Sequence, residues 1–293
     1  MTRLLSFFAS ILLTALAVSS ACVAGPNDTL SFRVEPAHSN DRIHVSFRTN
    51  RDRHDTTNWS SSFSSAELAG LDFARLRGSG SGPIGFALVR EAGRVDCAGT
   101  GGNGFGNGSC RFTANPAFAD ALERNGLGRP TNDHAIALMA VNAHADLLNA
   151  LSAARFPKPS MDDYVALSAL NVTGNYISQL ARAGYRPNSP DALIQFAALN
   201  ITPEFIAGFA RMGYANLPAD ELVQLKALDI TPAFVAGFDR IGYGRLPVDQ
   251  LVQLKALNVT PEFIQSLQRS GIVHPSPDEA VRIKALGFPS RSR

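Results

Sequence analysis

The densest run of reactive side chains in the 293-residue chain is Asn50 to Asn58 (NRDRHDTTN), where His54 stands next to Asp55 and just ahead of Trp59. A histidine beside a carboxylate can ligate a metal or, with a serine from the adjoining Ser60 to Ser65 run, supply the base of a hydrolase. Trp59 offers an aromatic face on which a sugar or other small ligand stacks. The same composition also describes a solvated turn. Six histidines are present, and none falls in HExxH or another ligand spacing. His38, His44, Asp41 and Asp52 share this region without forming a paired acid or a nucleophile with its base. Gly99 to Gly108 has the composition of a phosphate-cradling loop, but no Lys-Ser/Thr and no helix start follows it. The expectation is a protein without catalytic residues, metal or cofactor.

The remaining reactive groups are three cysteines. Met1 to Ala24 reads as a signal peptide: Arg3, an apolar stretch from Leu4 to Val18, then small residues. Cleavage after Ala24 or after Ala21 fits equally well. Lipidation of Cys22 is the alternative, although Ser19 stands where a lipoprotein signal prefers leucine. An exported chain, periplasmic or extracellular, favours pairing of Cys97 with Cys110. Closing that loop contributes about 3 kcal/mol in the chain-entropy description. A net charge of +2 argues against nucleic acid as a partner, and membrane attachment follows only from a lipid on Cys22.

Residues 25–114 carry period-two alternation: Leu30, Phe32, Val34; Ile43, Val45, Phe47; Ile84, Phe86, Leu88. Half-buried antiparallel strands require this pattern. Cys97 and Cys110 then sit on the two strands of a hairpin, with Gly99 to Gly108 at its tip. Ser60 to Ser65 and Arg77 to Pro83 read as exposed loops or an irregular edge, and Ala66 to Leu76 as a short helix. The prediction is a small β-rich domain, a sandwich or a roll.

From Asn115 onward the period changes. Leu222, Leu225, Leu228 and Ile230 fall on Leu251, Leu254, Leu257 and Val259 after a shift of 29 residues. A fixed period in this range marks a solenoid. Each unit reads as two short helices. The first carries an apolar stripe at i, i+3 and i+6 (Leu222, Leu225, Leu228) and an early aspartate: Asp133, Asp162, Asp191, Asp220, Asp249 or Asp278. The second opens with a capping threonine and a proline, as at Thr202-Pro203, Thr231-Pro232 and Thr260-Pro261, and closes on Gly184, Gly213, Gly242 or Gly271. Twelve helices follow from Pro116 to Leu286. The expected class is α+β multidomain, with an N-terminal β-rich domain, an α-solenoid of helical pairs over 115–288 and a tail at 289–293. Asn171-Val-Thr, Asn200-Ile-Thr and Asn258-Val-Thr match the glycosylation pattern because their threonine is a helix cap.

The unit Leu251-Val-Gln-Leu-Lys-Ala-Leu-Asn-Val-Thr-Pro-Glu-Phe-Ile resembles helical repeats of uncharacterised exported bacterial proteins. It is also similar to repeats trailing the membrane domain of β-lactam-sensing antirepressor metallopeptidases. The match covers Asn115 to Leu286. The peptidase is not matched, since HExxH and a multi-span membrane region are both missing, so no protease activity carries over. The resemblance implies an extracytoplasmic sensing or scaffolding module. Variable polar positions on a stacked array suit a protein partner, with Gln224, Lys226, Gln253, Lys255 and Lys284 as the candidate interaction face. The alternative is a small-ligand or cell-envelope-glycan binder working through a β-domain loop formed by His54, Asp55 and Trp59.

Overall fold

The computed structural model describes residues 29–39, 41–50 and 58–287. The signal-peptide segment with Cys22, the residues His54 and Asp55, and the tail lie outside them. The N-terminal part is one antiparallel sheet of seven strands: β1 (Thr29–Pro36), β2 (Arg42–Asn50), β3 (Asn58–Ser64), β4 (Leu68–Ala69), β5 (Gly82–Arg90), β6 (Gly93–Gly102) and β7 (Phe105–Ala114). Their order is β3-β2-β1-β7-β6-β5-β4. Every neighbour is sequential except the β1–β7 pair, and the two edge strands β3 and β4 are joined by residues 65–67 alone. Such a short link forces the sheet to curl until its edges approach each other. At that seam the Glu67 carboxylate accepts from the Ser64 amide and hydroxyl, which holds its pKa below the usual carboxylate value.

The domain is therefore a single curled sheet, not two facing ones. Two further expectations change. Ser60 to Ser64 is ordinary strand, paired with β2 along its length, with Phe63 buried and Ser60, Ser62 and Ser64 on the opposite face. The helix expected over Ala66 to Leu76 shrinks to α1 (Phe73–Arg77), capped by Asp72, because Leu68 and Ala69 pair with β5.

The glycine-rich segment is not a tip either. β6 and β7 run through it, leaving only Asn103 and Gly104 in the turn. Its glycines are steric necessities of a tightly curled interior. A Cβ on Gly108 would lie 2.2 Å from the Ala98 carbonyl oxygen and 2.7 Å from the Phe32 ring. Cys97 and Cys110 face each other directly in this hairpin and are bonded. Phe32, Phe47 and Phe86 form the aromatic centre, with Phe32 edge-on to Phe86 at 5.0 Å.

Twelve helices follow: α2 (Pro116–Arg124), α3 (Asn132–Ala140), α4 (Asp146–Ala153), α5 (Met161–Ala169), α6 (Gly174–Arg182), α7 (Pro190–Ala198), α8 (Pro203–Arg211), α9 (Ala219–Ala227), α10 (Pro232–Arg240), α11 (Val248–Ala256), α12 (Pro261–Arg269) and α13 (Pro277–Leu286). The main helix–helix contacts skip one helix: α3 on α5, α5 on α7, α7 on α9, α9 on α11 and α11 on α13, with α4 on α6 and α8 on α10 alongside.

Side-chain caps open most of them. Thr131, Thr173, Thr202, Thr231 and Thr260 accept from the amide three residues on, as do Ser160, Ser189 and Ser276. Pro203, Pro232 and Pro261 stand at the first turn, where no partner for an N–H is needed. Opposite Pro232 and Pro261 stand Gly208 and Gly237, whose Cβ would meet the proline ring at 2.7 Å.

The helix ends share one device. After α3, α5, α7, α9 and α11 the chain turns left-handed at Asn142, Asn171, Asn200, Asp229 and Asn258, with φ between 51° and 55°. After the intervening helices the same turn falls on Gly126, Arg155, Gly184, Gly213, Gly242 and Gly271. The next amide then bonds back to a carbonyl five residues earlier, as from Ile230 to Leu225 and from Tyr214 to Phe209. This arrangement returns Ile230 to the core, fully buried, and turns Leu228 out at 36% exposure. The expected stripe is therefore corrected: Leu222 and Leu225 are core, and the third leucine is not.

The apolar core does not divide at Ala114. One cluster runs from Leu30 through the sheet to Leu193, and a second from Phe196 to Ala280. The β5–β6 turn makes the joint. Arg90 donates to the Met139 and Ala140 carbonyls at 2.6 and 2.7 Å, at the C-terminus of α3, and burial lowers its pKa. Glu91 accepts from the Ala145 amide at 3.0 Å, at the N-terminus of α4. A cation and an anion thus meet the two helix ends whose partial charges suit them.

Two stability predictions follow from this packing. Gly108→Ala should destabilise the chain by about 2–3 kcal/mol through overpacking, whereas Gly80→Ala, which meets nothing within 4 Å, should change the thermal midpoint little. Arg90→Ala should lose about 2 kcal/mol from the helix-end hydrogen bonds. In calorimetry it should also broaden the transition as the sheet unfolds ahead of the helices. A single unshifted transition would count against that role.

Candidate functional site

Two surfaces gather side chains that structure alone does not use. The first is the edge formed by the C-terminal ends of α5, α9 and α11. Leu170, Leu228 and Leu257 stand at the same place just after their helices and are 37%, 36% and 39% exposed, whereas Leu199, at that place after α7, is partly buried against the core. Exposed alanines precede them (Ala169, Ala227, Ala256), and the left-handed Asn171, Asp229 and Asn258 follow. Each leucine is held outward by the helix-end turn just described. The result is a set of apolar side chains on one edge, adjacent after α9 and α11 and interrupted at Leu199 before Leu170. Sequence reasoning assigned such leucines to the core, and the Asn or Asp that follows gives no sufficient signal, since Leu199 before Asn200 stays partly buried.

The lysines of the candidate face behave differently from the neighbouring glutamines. Lys226, Lys255 and Lys284 place their ammonium groups 5.1, 5.3 and 4.6 Å from the ring centres of Phe205, Phe234 and Phe263 on the preceding helices. Lys255 also donates to the Asp229 carbonyl at 2.8 Å. Their stems lie along the array, and the lysines are half-buried. Where the facing residue is Tyr176 in place of phenylalanine, the lysine position holds Ala197. The Tyr176 hydroxyl donates to the Ile201 carbonyl, and burial pushes its pKa up to about 12. Gln224 and Gln253 are exposed.

The second surface is the polar face of β3, β2, β1 and β7. Two cross-strand rows lie side by side on it: Asn58, Arg48 and Ser31, then Ser60, Ser46, Arg33 and Asn107. All seven line a concavity of about 870 Å³. Phe32 and Phe47 alternate with them, point into the core and contribute only backbone. Arg33 pairs loosely with Glu35 at 3.7 Å. Among the described residues no carboxylate pairs with Arg48.

Trp59 borders this concavity from within β3 and not from a loop, because Asn58 to Ser64 pairs with β2. One face of its ring is stacked on Phe47 at 4.9 Å, and its buried Nε1 has no hydrogen-bond partner. Cys97 and Cys110 are committed to their bond. Of the described histidines, His144 contacts Glu91 at 3.1 Å, His134 contacts Asp162 at 3.1 Å, His274 lies against the Tyr243 ring at 4.8 Å, and His44 reaches the Ser62 hydroxyl at 3.5 Å. Among the described residues no cluster of histidine, cysteine, aspartate or glutamate could hold a metal ion, and no single helix is long and apolar enough to cross a membrane.

Neither a family model, nor a curated protein, nor a solved structure matches this chain.

The lysine contacts predict an energetic coupling. In a double-mutant cycle of Lys255→Ala with Phe234→Leu, the coupling energy should be about 0.5–1 kcal/mol, read from denaturant unfolding. Additive effects would mean that the lysine is merely solvated.

Proposed function

We propose that this is a non-enzymatic exported protein whose helical part is a solenoid of helix pairs with a period of 29 residues, holding a protein partner along one edge. The observation that carries this reading is the exposed set Leu170, Leu228 and Leu257. Apolar residues left out of the core at one recurring position, above all the adjacent pair Leu228 and Leu257, offer a partner anchors along one edge, with Gln224 and Gln253 as polar neighbours. The helix starts support the period: Asn132, Met161, Pro190, Ala219, Val248 and Pro277. Export is supported by the Cys97–Cys110 bond, which persists in oxidising compartments, and by the apolar N-terminal segment read as a signal peptide. The likeness of the repeat unit to those of exported sensing and scaffolding proteins fits the same picture.

A photo-crosslinking residue placed at Leu228 or Leu257 in the full chain tests the reading, with Gln265, exposed on α12, as the control position. One envelope protein should be captured from both leucine positions and not from Gln265. Equal capture from all three positions, or from none, would overturn the assignment of the edge.

A further inference from the structure

We propose that the polar sheet face around Arg33 and Arg48 is a binding site for an acidic saccharide. This goes beyond the partner-binding reading and does not depend on it, because the face belongs to strands and the outward leucines to the helical part. The side chains dictate the ligand class. Arg48 pairs across to Ser31, and Arg33 to Ser46, which makes the two arginines diagonal neighbours on adjacent strands. Such neighbours have Cα atoms about 7–8 Å apart, so two guanidinium groups can reach one carboxylate or two successive ones. Arg33 is 72% exposed at its side chain and only loosely held by Glu35, and Arg48 has no acidic partner among the described residues. Guanidinium groups grip carboxylates through paired N–H donors.

Around the arginines stand hydroxyls and primary amides: Ser31, Ser46, Asn58 and Asn107. They both donate and accept, as recognition of a polyhydroxylated chain requires. The outward side chains lining the concavity are all polar, and the exposed Phe105 of β7 lies outside that lining, so the concavity itself lacks the buried anchors on which protein interfaces depend. A volume of about 870 Å³ lies within the range of small-molecule sites and accommodates more than a bare inorganic anion. Strands, and not loops, carry every one of these groups, which fixes their geometry.

Trp59, the single tryptophan, turns its ring to the core side of β3 against Phe47, so binding on the polar face is read as heat and not as tryptophan fluorescence. The full exported chain is titrated by isothermal calorimetry with oligogalacturonate, with a hyaluronan tetrasaccharide, with neutral maltotetraose and with sodium sulfate. At least one acidic oligosaccharide should give a saturable heat of binding, with an affinity that weakens with added salt, while maltotetraose gives none. Arg48→Ala should raise the apparent Kd at least tenfold, and Arg48→Lys by a smaller factor, since an ammonium cannot form the paired contact. The thermal midpoints of both variants should match the parent. Should either fail to fold, Asn107→Asp, which sets a carboxylate beside Arg33, replaces it with the same expected loss. The proposal is overturned if neither acidic oligosaccharide gives a saturable heat, or if binding is indifferent to these substitutions. Sulfate saturating at the same affinity would also overturn it, by reducing the face to a site for any small anion.

Discussion

The constraint on which the helical part depends is the closure of each short helix. A nine-residue helix leaves four terminal carbonyls without intrahelical partners, a large fraction of its backbone. From α2 to α12 the same left-handed turn satisfies part of that deficit and reverses the chain. It does so with asparagine, aspartate, glycine or, at position 155, arginine. The amide that completes the turn belongs to an apolar residue each time: Leu127, Ala143, Phe156, Val172, Tyr185, Ile201, Tyr214, Ile230, Tyr243, Val259 and Ile272. Backbone satisfaction and core packing are thus one event. No helix of this length would be stable by itself, and stacking supplies what propensity does not.

The curled sheet solves a similar problem by other means. Seven strands leave two edges, and the edges of an exposed sheet invite pairing with other chains. Here the short β3–β4 link brings the edges together, and a bonded cysteine pair ties β6 to β7. The sheet is then continued, not merely followed, by helices. Arg90 and Glu91 dock on the ends of α3 and α4, and the apolar cluster passes from Phe112 to Phe118 and Leu122 without a break. The two cores meet at α7, which gives Leu193 to one and Phe196 to the other.

What remains on the surface follows from these solutions. The helix-end turn that buries Ile230 exposes Leu228, so the outward leucines are a by-product of the closure motif. The alternation that buries Phe32 and Phe47 presents Arg33 and Arg48 on the other side of the same strands. The lysines, by contrast, are drawn back onto phenylalanine rings, which leaves the glutamines as the more accessible members of that face.

The sequence by itself determined the local elements. Threonine caps, first-turn prolines and closing glycines act within a few residues, and alternation marks β1, β2 and β5, so all of these were legible without a structure. The cysteine pairing was legible because only two of the three cysteines lie outside the segment read as a signal peptide. Tertiary structure decided which apolar residue of each triplet is buried. Leu222, Leu225 and Leu228 look alike in sequence, and only the turn at Asp229 separates them. It also decided that the glycines at 99–108 are strand, because their role is to yield space to Phe32 and Ile84 from distant strands. Neither the polar face nor the junction at Arg90 could be read in advance. Each joins residues that are far apart in the chain, and the proximity of such residues is set by packing and not by spacing.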